Sequence, residues 1–252
     1  MKKEHIGIMA ENNNCITINF PEGSGGHMLG RVLMSCNNVA WYDHKQNGEF
    51  PWIPYNAPED ELFSRLHFNK RFRGAADKGN KDPNRIPPVL SVAESRGIKV
   101  TKEEIDKWKE KLYPYNFVYT LHDKLDETKK FFNPAKHVVV LPDDIDLMIE
   151  RWKNSSYYYY RDPKDKSYLS RDFYKDKAKS LGITMRQALR NDFEDLLSNY
   201  AKHLTEDDVI INDVNLITDY DYFTEVCKKL DLVVNPAHYQ KVIKLFKEES
   251  HF

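Results

Sequence analysis

The residues whose types and spacing promise chemistry are concentrated between Cys15 and Leu33. A run of β-branched and apolar residues, Cys15 to Phe20, stops at Pro21. Gly23, Ser24, Gly25 and Gly26 follow, and Met28, Leu29, Val32 and Leu33 then repeat at helical spacing. Strand, glycine-rich turn and helix in that order aim backbone N–H groups and a helix dipole at one point, which suits a phosphate or sulfate. Glycine lets the backbone approach the anion and take positive φ. The loop lacks the Lys-Ser/Thr of a Walker A motif, and G-x-G-x-x-G cannot be placed on it. A plain tight strand-to-helix turn accounts for the same glycines. Elsewhere, His122 falls at a strand end, where an imidazole titrating near neutrality can move a proton. Asp143 and Asp144 open a helix, as an N-cap pair or as Mg²⁺ ligands for a nucleoside triphosphate.

Positioning these groups requires a layered scaffold, and the periodicities predict one. Short strands are expected at His5 to Ile8, Cys15 to Phe20, Val39 to Tyr42, Phe117 to Leu121, His137 to Leu141 and Val209 to Ile211. Helices are expected over about 27–37, 101–112 (Thr101 and Glu104 forming a capping box), from an Asp123 cap to about Phe131, 143–153, from a Thr184 cap to about Leu204, 220–230 and 236–249. Ile145, Met148, Ile149 and Trp152 mark the inward face of the fourth. Strands alternating with helices predict an α/β chain, a three-layer sandwich around a central, mainly parallel sheet. Ligands in such sheets sit beyond the carboxyl ends of the strands, where the 21–26 loop, His122 and Asp143-Asp144 all fall.

Size and composition narrow the class. A chain of 252 residues fits one domain, with the proline- and aromatic-rich region 43–115 as an insertion or substrate-side wall. A net charge of −1 argues against a general nucleic-acid binder. Mean hydropathy is −0.70, but 13% aromatic residues still supply a core. No apolar run approaches the roughly 18 residues that span a bilayer, and the Met-Lys-Lys-Glu-His start lacks a signal-peptide core. Cys15, Cys36 and Cys227 are odd in number and widely spaced, unlike a disulfide framework or zinc site. These features predict a cytoplasmic protein, with Cys15 and Cys36, both in apolar segments, as buried thiols. The basic run Lys70 to Arg73 reads as a solvated surface or a binding patch.

The order of elements resembles the sulfotransferase family, P-loop-like α/β enzymes that transfer a sulfuryl group from 3′-phosphoadenosine 5′-phosphosulfate to a hydroxyl or amine. Phe20-Pro-Glu-Gly-Ser-Gly-Gly-His-Met-Leu29 resembles the family's 5′-phosphosulfate loop, P-K-S-G-T-T-W-L. Tyr119-Thr-Leu-His122 resembles the T-H-x-P element carrying its base. His137 to Leu141 with Pro142-Asp-Asp144 resembles the strand and turn of the 3′-phosphate motif R-N-P-K-D. Asp208 to Leu216, then Phe223 to Leu232, resembles a late strand and helix of these enzymes. The likeness is one of pattern and order outside 43–115.

By this resemblance His122 is the general base, and Ser24 and His27 assist at the transferring group. The donor would lie on Gly23, Ser24, Gly25, Gly26, His27, Asp143 and Arg151, without a metal ion. The acceptor would be a small molecule or carbohydrate, with aromatics of 43–115 shaping its pocket. The family's loop lysine is unmatched, because Gly23 stands in its place, and Leu141 replaces the 3′-phosphate arginine. His27 is the substitute cation or a helix cap; Arg151 is a phosphate ligand or a surface arginine. Arg161-Asp-Pro-Lys-Asp165 nearly spells the 3′-phosphate motif, although a polar loop explains it equally. Two other readings stay open: a P-loop nucleotide or nucleoside kinase, and a non-catalytic nucleotide-binding protein that kept the fold.

Overall fold

A computed structural model describes residues 13–21, 23–42, 52–53, 102–154 and 171–249. The expected strand at His5 to Ile8, the Thr101 cap, the basic run at 70–73 and the motif at 161–165 lie outside them. Strand β1 (Cys15–Asn19) leads through the glycine loop to helix α1 (Gly26–Leu33). Two short strands follow, β2 (Trp41–Tyr42) and β3 (Trp52–Ile53), paired antiparallel. Helix α2 (Lys102–Leu112), strand β4 (Phe117–Leu121), helix α3 (Leu125–Phe132) and strand β5 (Lys136–Val140) come next. Helices α4 (Ile145–Asn154), α5 (Arg171–Leu181) and α6 (Met185–His203) precede strand β6 (Val209–Ile211). A 3₁₀ turn at Val214–Thr218, α7 (Tyr220–Lys229) and α8 (Pro236–Glu249) close the described chain.

The main sheet is parallel throughout, in the order β4-β1-β5-β6. Ile18 stands beside Thr120 on one side and Val138 on the other, so the glycine-loop strand and the valine strand lie in one sheet, and the structure makes them immediate neighbours. A parallel bridge from Val39 to Asn116 extends the sheet beyond β4. Val138, Val139 and Val140 are wholly buried, because a central parallel strand is covered on both faces. Helix α1 covers the face bearing Ile18, Val118 and Thr120. A Cβ on Gly30 would lie 3.1 Å from Thr120 Cγ2, so a larger residue there would push helix and sheet apart. The opposite face carries α2 and α3: Trp108 stacks on Tyr119, and Asn19 Nδ2 donates to Thr128 Oγ1 at 2.7 Å. A second apolar cluster joins α4, α5 and α6 through Met148, Ile149, Trp152, Tyr174, Leu189 and Phe193.

Most expected elements form, with local corrections. Helix α1 ends at Leu33, short of 37, since Ser35 N and Cys36 N turn back onto Val32 O and Leu33 O. Asp123 does not cap α3. Lys124 holds that position, and Asn199 Oδ1 of α6 accepts from Leu125 N at 2.8 Å. Helix α4 begins at Ile145, with Asp144 Oδ1 accepting from Leu147 N at 2.9 Å. Thr184 caps α6 as expected, in a capping box with Gln187. Val39–Tyr42 forms only a bridge and a two-residue strand of a separate sheet. Helix α5 was not foreseen.

Candidate functional site

The chain leaves β1 and crosses by α1 toward the β4 side of the sheet, whereas it leaves β5 and crosses by α4–α6 toward β6. The carboxyl ends of β1 and β5 are therefore adjacent strand ends whose connections diverge. That divergence opens the crevice where open α/β sheets hold ligands. The loop of residues 21–25 emerges at this point.

Its conformation follows from its neighbours. Gly25 is the N-cap of α1 at φ 85° and ψ 13°, a left-handed geometry that disfavours any side chain. No side chain caps the helix and no acidic residue lies in its first turn. The first intrahelical bond runs from Leu29 N to Gly25 O at 3.2 Å, so the N–H groups of Gly26, His27 and Met28 precede the ladder and point out of the helix end. Gly26 packs on the ring of Phe20, where a Cβ would come within 2.2 Å of Cγ. Gly23 lies on the backbone of α4, where a Cβ would stand 2.7 Å from Met148 O and 3.4 Å from Trp152 N. Close packing thus requires two of the glycines independently of any ligand.

Ser24 is buried, and its Oγ donates to Pro21 O at 2.7 Å while its N–H reaches the same carbonyl at 3.1 Å. Its hydroxyl proton closes the loop onto the Pro21 carbonyl. His27 belongs to α1 by its backbone, and its side chain lies outside the described residues. Arg151 is half-buried on α4, the helix whose backbone Gly23 approaches at Met148 and Trp152. Asp143 is exposed in the turn before α4. Val214, in the 3₁₀ turn after β6, flanks Gly25, with its Cγ1 3.1 Å from a Cβ placed there.

His122 follows β4 and is 9% exposed. Its Nδ1 donates to Phe20 O at 2.8 Å, and its ring lies 4.2 Å from that of Phe20. A carbonyl only accepts, so Nδ1 carries the proton and Nε2 is the basic atom. Burial pulls its pKa down to about 4, partly offset by the Phe20 carbonyl. Phe20 N also donates to Leu121 O at 3.0 Å. His122 thereby pins the residue that floors the glycine loop to the end of β4. Sequence reasoning missed the floor residue Phe20 and the flank residue Val214. The bulky aromatic directly before Pro21 was the available signal for the first; Val214 had none.

Among the described residues, no group of three or more His, Cys, Asp and Glu is arranged to hold a metal. Likewise, among those residues no helix is long and apolar enough to cross a membrane. Comparison of the chain with protein-family models, curated proteins and solved structures finds no match.

Proposed function

We propose that the glycine loop binds the phosphate or phosphosulfate group of a nucleotide, and that the protein is a sulfotransferase-like enzyme. It would carry a sulfuryl group from 3′-phosphoadenosine 5′-phosphosulfate to a hydroxyl or amine acceptor, a carbohydrate among the candidates. The observation that carries this reading is the uncapped, acid-free N-terminus of α1, reached through left-handed Gly25 at the point where the β1 and β5 connections diverge. The N–H groups of Gly26, His27 and Met28 bind the anion, and Arg151 adds positive charge from α4. Transfer of this kind depends mostly on positioning and charge stabilisation, which backbone donors fixed by packing provide. Ser24 acts by holding the loop closed. His122 takes the acceptor proton on Nε2.

The burial of His122 and its use as an anchor for Phe20 favour a second reading, a nucleotide-binding protein without catalysis. A base whose pKa is near 4 accepts a proton weakly at neutral pH.

Calorimetric titration with 3′,5′-adenosine bisphosphate, beside ATP and buffer, tests the donor site. Saturable binding of the bisphosphate, stronger than that of ATP and lost in Gly25→Val with an unchanged circular dichroism spectrum, is the expected result. Affinity unaltered by Gly25→Val removes the site. Preference for ATP with Mg²⁺ points to a kinase.

A further inference from the structure

Cys36 and Cys227, far apart in the chain, are brought together with Sγ atoms 3.5 Å apart, and both are fully buried. Cys36 sits in the turn that ends α1; Cys227 lies in the last turns of α7. A hydrogen-bonded seam beside them fixes their alignment. Asn37 N donates to Val233 O at 2.8 Å, Asn38 Nδ2 to Asp231 O at 3.0 Å, and Val233 N to Asn38 Oδ1 at 2.8 Å. Asn235 Nδ2 completes it by donating to Asn37 Oδ1 at 3.0 Å. The thiols face each other across a fixed junction, so a short movement joins them: a disulfide needs about 2.05 Å between sulfurs, a closure of about 1.5 Å shared by two side chains.

We infer that Cys36 and Cys227 form a reversible dithiol–disulfide pair that locks α1 to α7 when the surroundings oxidise. The oxidant is an external disulfide of the glutathione type. One cysteine thiolate attacks it, releasing one small thiol and leaving a mixed disulfide. The second cysteine thiolate then displaces the other small thiol. Two protons leave the cysteines, two electrons pass to the external disulfide, and one protein S–S bond forms. The S–H contact with Cys227, and burial after it, hold the Cys36 thiol protonated, which makes exchange in the closed fold slow. Local opening or folding itself is the reactive window. The lock falls on the helix whose other end carries the glycine loop, so redox state sets how firmly that helix is held. Cys15 is buried in β1, its thiol pushed up to about 12 by burial, and takes no part.

The test refolds the reduced full chain in glutathione buffers graded from reducing to oxidising, followed by acid quench, thiol blocking and mass spectrometry. In oxidising buffer one of the three cysteines is expected to be blocked, and peptide mapping should give a Cys36–Cys227 cross-link. The Tm should rise by on the order of 5–10 °C over the reduced protein, and reductant should reverse it. Cys36→Ser and Cys227→Ser should each abolish the cross-link and the redox dependence of Tm. Cys36→Ala and Cys227→Ala, checked by circular dichroism, cover the case in which a buried hydroxyl impairs folding. Three blocked cysteines at every potential, a cross-link to Cys15, or a persistent glutathione adduct at Cys36 or Cys227 would overturn the pair. A cross-link that leaves Tm unchanged would overturn the lock.

Discussion

At the scale of single residues, His122 carries the sharpest test. Its folded pKa near 4 lies below the ordinary value of 6.5, so between those values the unfolded chain binds a proton that the folded chain does not. Stability therefore falls as pH drops from 6.5 toward 4, by about 3 kcal/mol for one such imidazole. His137, half-buried beside Thr17 with its Nδ1 2.7 Å from Thr17 Oγ1 and its pKa also lowered to about 4 by desolvation, adds in the same direction. Urea midpoints measured across that window should decline, and His122→Asn should flatten part of the slope. Asparagine can still donate to Phe20 O but cannot act as a base, so the same variant separates the two roles of His122. If His122 is the general base, turnover falls by about 10²–10⁴-fold with donor affinity kept. If it is only an anchor, turnover in His122→Asn stays near that of the parent. Arg151→Ala should weaken bisphosphate binding in a chain whose circular dichroism spectrum is unchanged; unchanged affinity would remove Arg151 from the site.

Between elements, the instructive contact is Lys109. Its amine is buried and donates to Phe132 O at 3.2 Å and Pro134 O at 2.7 Å, so a cation from α2 meets the last carbonyl of α3 and the link into β5. Lys109→Met keeps the stem and removes the donors. It should cost about 1–3 kcal/mol in chemical denaturation, the value of a buried charged hydrogen bond; a neutral outcome would mean that water replaces it. Helix α1 gives a contrasting pair. Gly26→Val places a branched side chain into the Phe20 ring and should leave little folded protein, whereas Gly25→Val meets a strained φ and a single side-chain neighbour, Val214, at 3.1 Å. Folded yields of the two variants should differ widely, and equal yields would contradict the packing of the loop on Phe20.

For the molecule as a whole, three apolar clusters among the described residues divide the labour. The largest lies around the parallel sheet, α1, α2, α7 and α8. A smaller cluster ties α4, α5 and α6 to one another, and a third, Leu125, Val139 and Tyr200, joins α3 and α6 to β5. Exposed ion pairs link Arg186 and Arg190 of α6 to Asp146 of α4, and their worth at the surface is small. Hydrogen exchange should therefore show the amides of β1, β4 and β5 opening last and those of α5 opening earlier by local unfolding. Uniform protection of both groups would indicate one cooperative unit. The cluster of α4, α5 and α6 carries the flank of the candidate site, so ligand binding should slow exchange in α4 before it affects the central strands.

Sequence alone determined the elements whose pattern is local. The runs Phe117–Leu121 and Val209–Ile211 have the observed strand bounds, and Pro236–Glu249 the observed helix bounds. Thr184 and Gln187 cap α6 because the cap needs only residues three apart. The alternation of strands and helices was enough for a parallel sheet, and the glycine turn was legible as a strand-to-helix junction. Tertiary structure decided what depends on residues distant in the chain. It placed β1 between β4 and β5, gave Gly26 its reason in Phe20 and Gly23 its reason in Met148, and turned His122 inward onto Phe20 O. It also formed α5 from a polar segment whose Tyr174 and Ala178 are buried only because α4 and α6 supply a surface for them. The physical reason is the range of the interactions. Capping and hydrophobic periodicity act within a turn or a strand, whereas steric exclusion, burial and the meeting of Cys36 with Cys227 exist only once the chain has closed on itself.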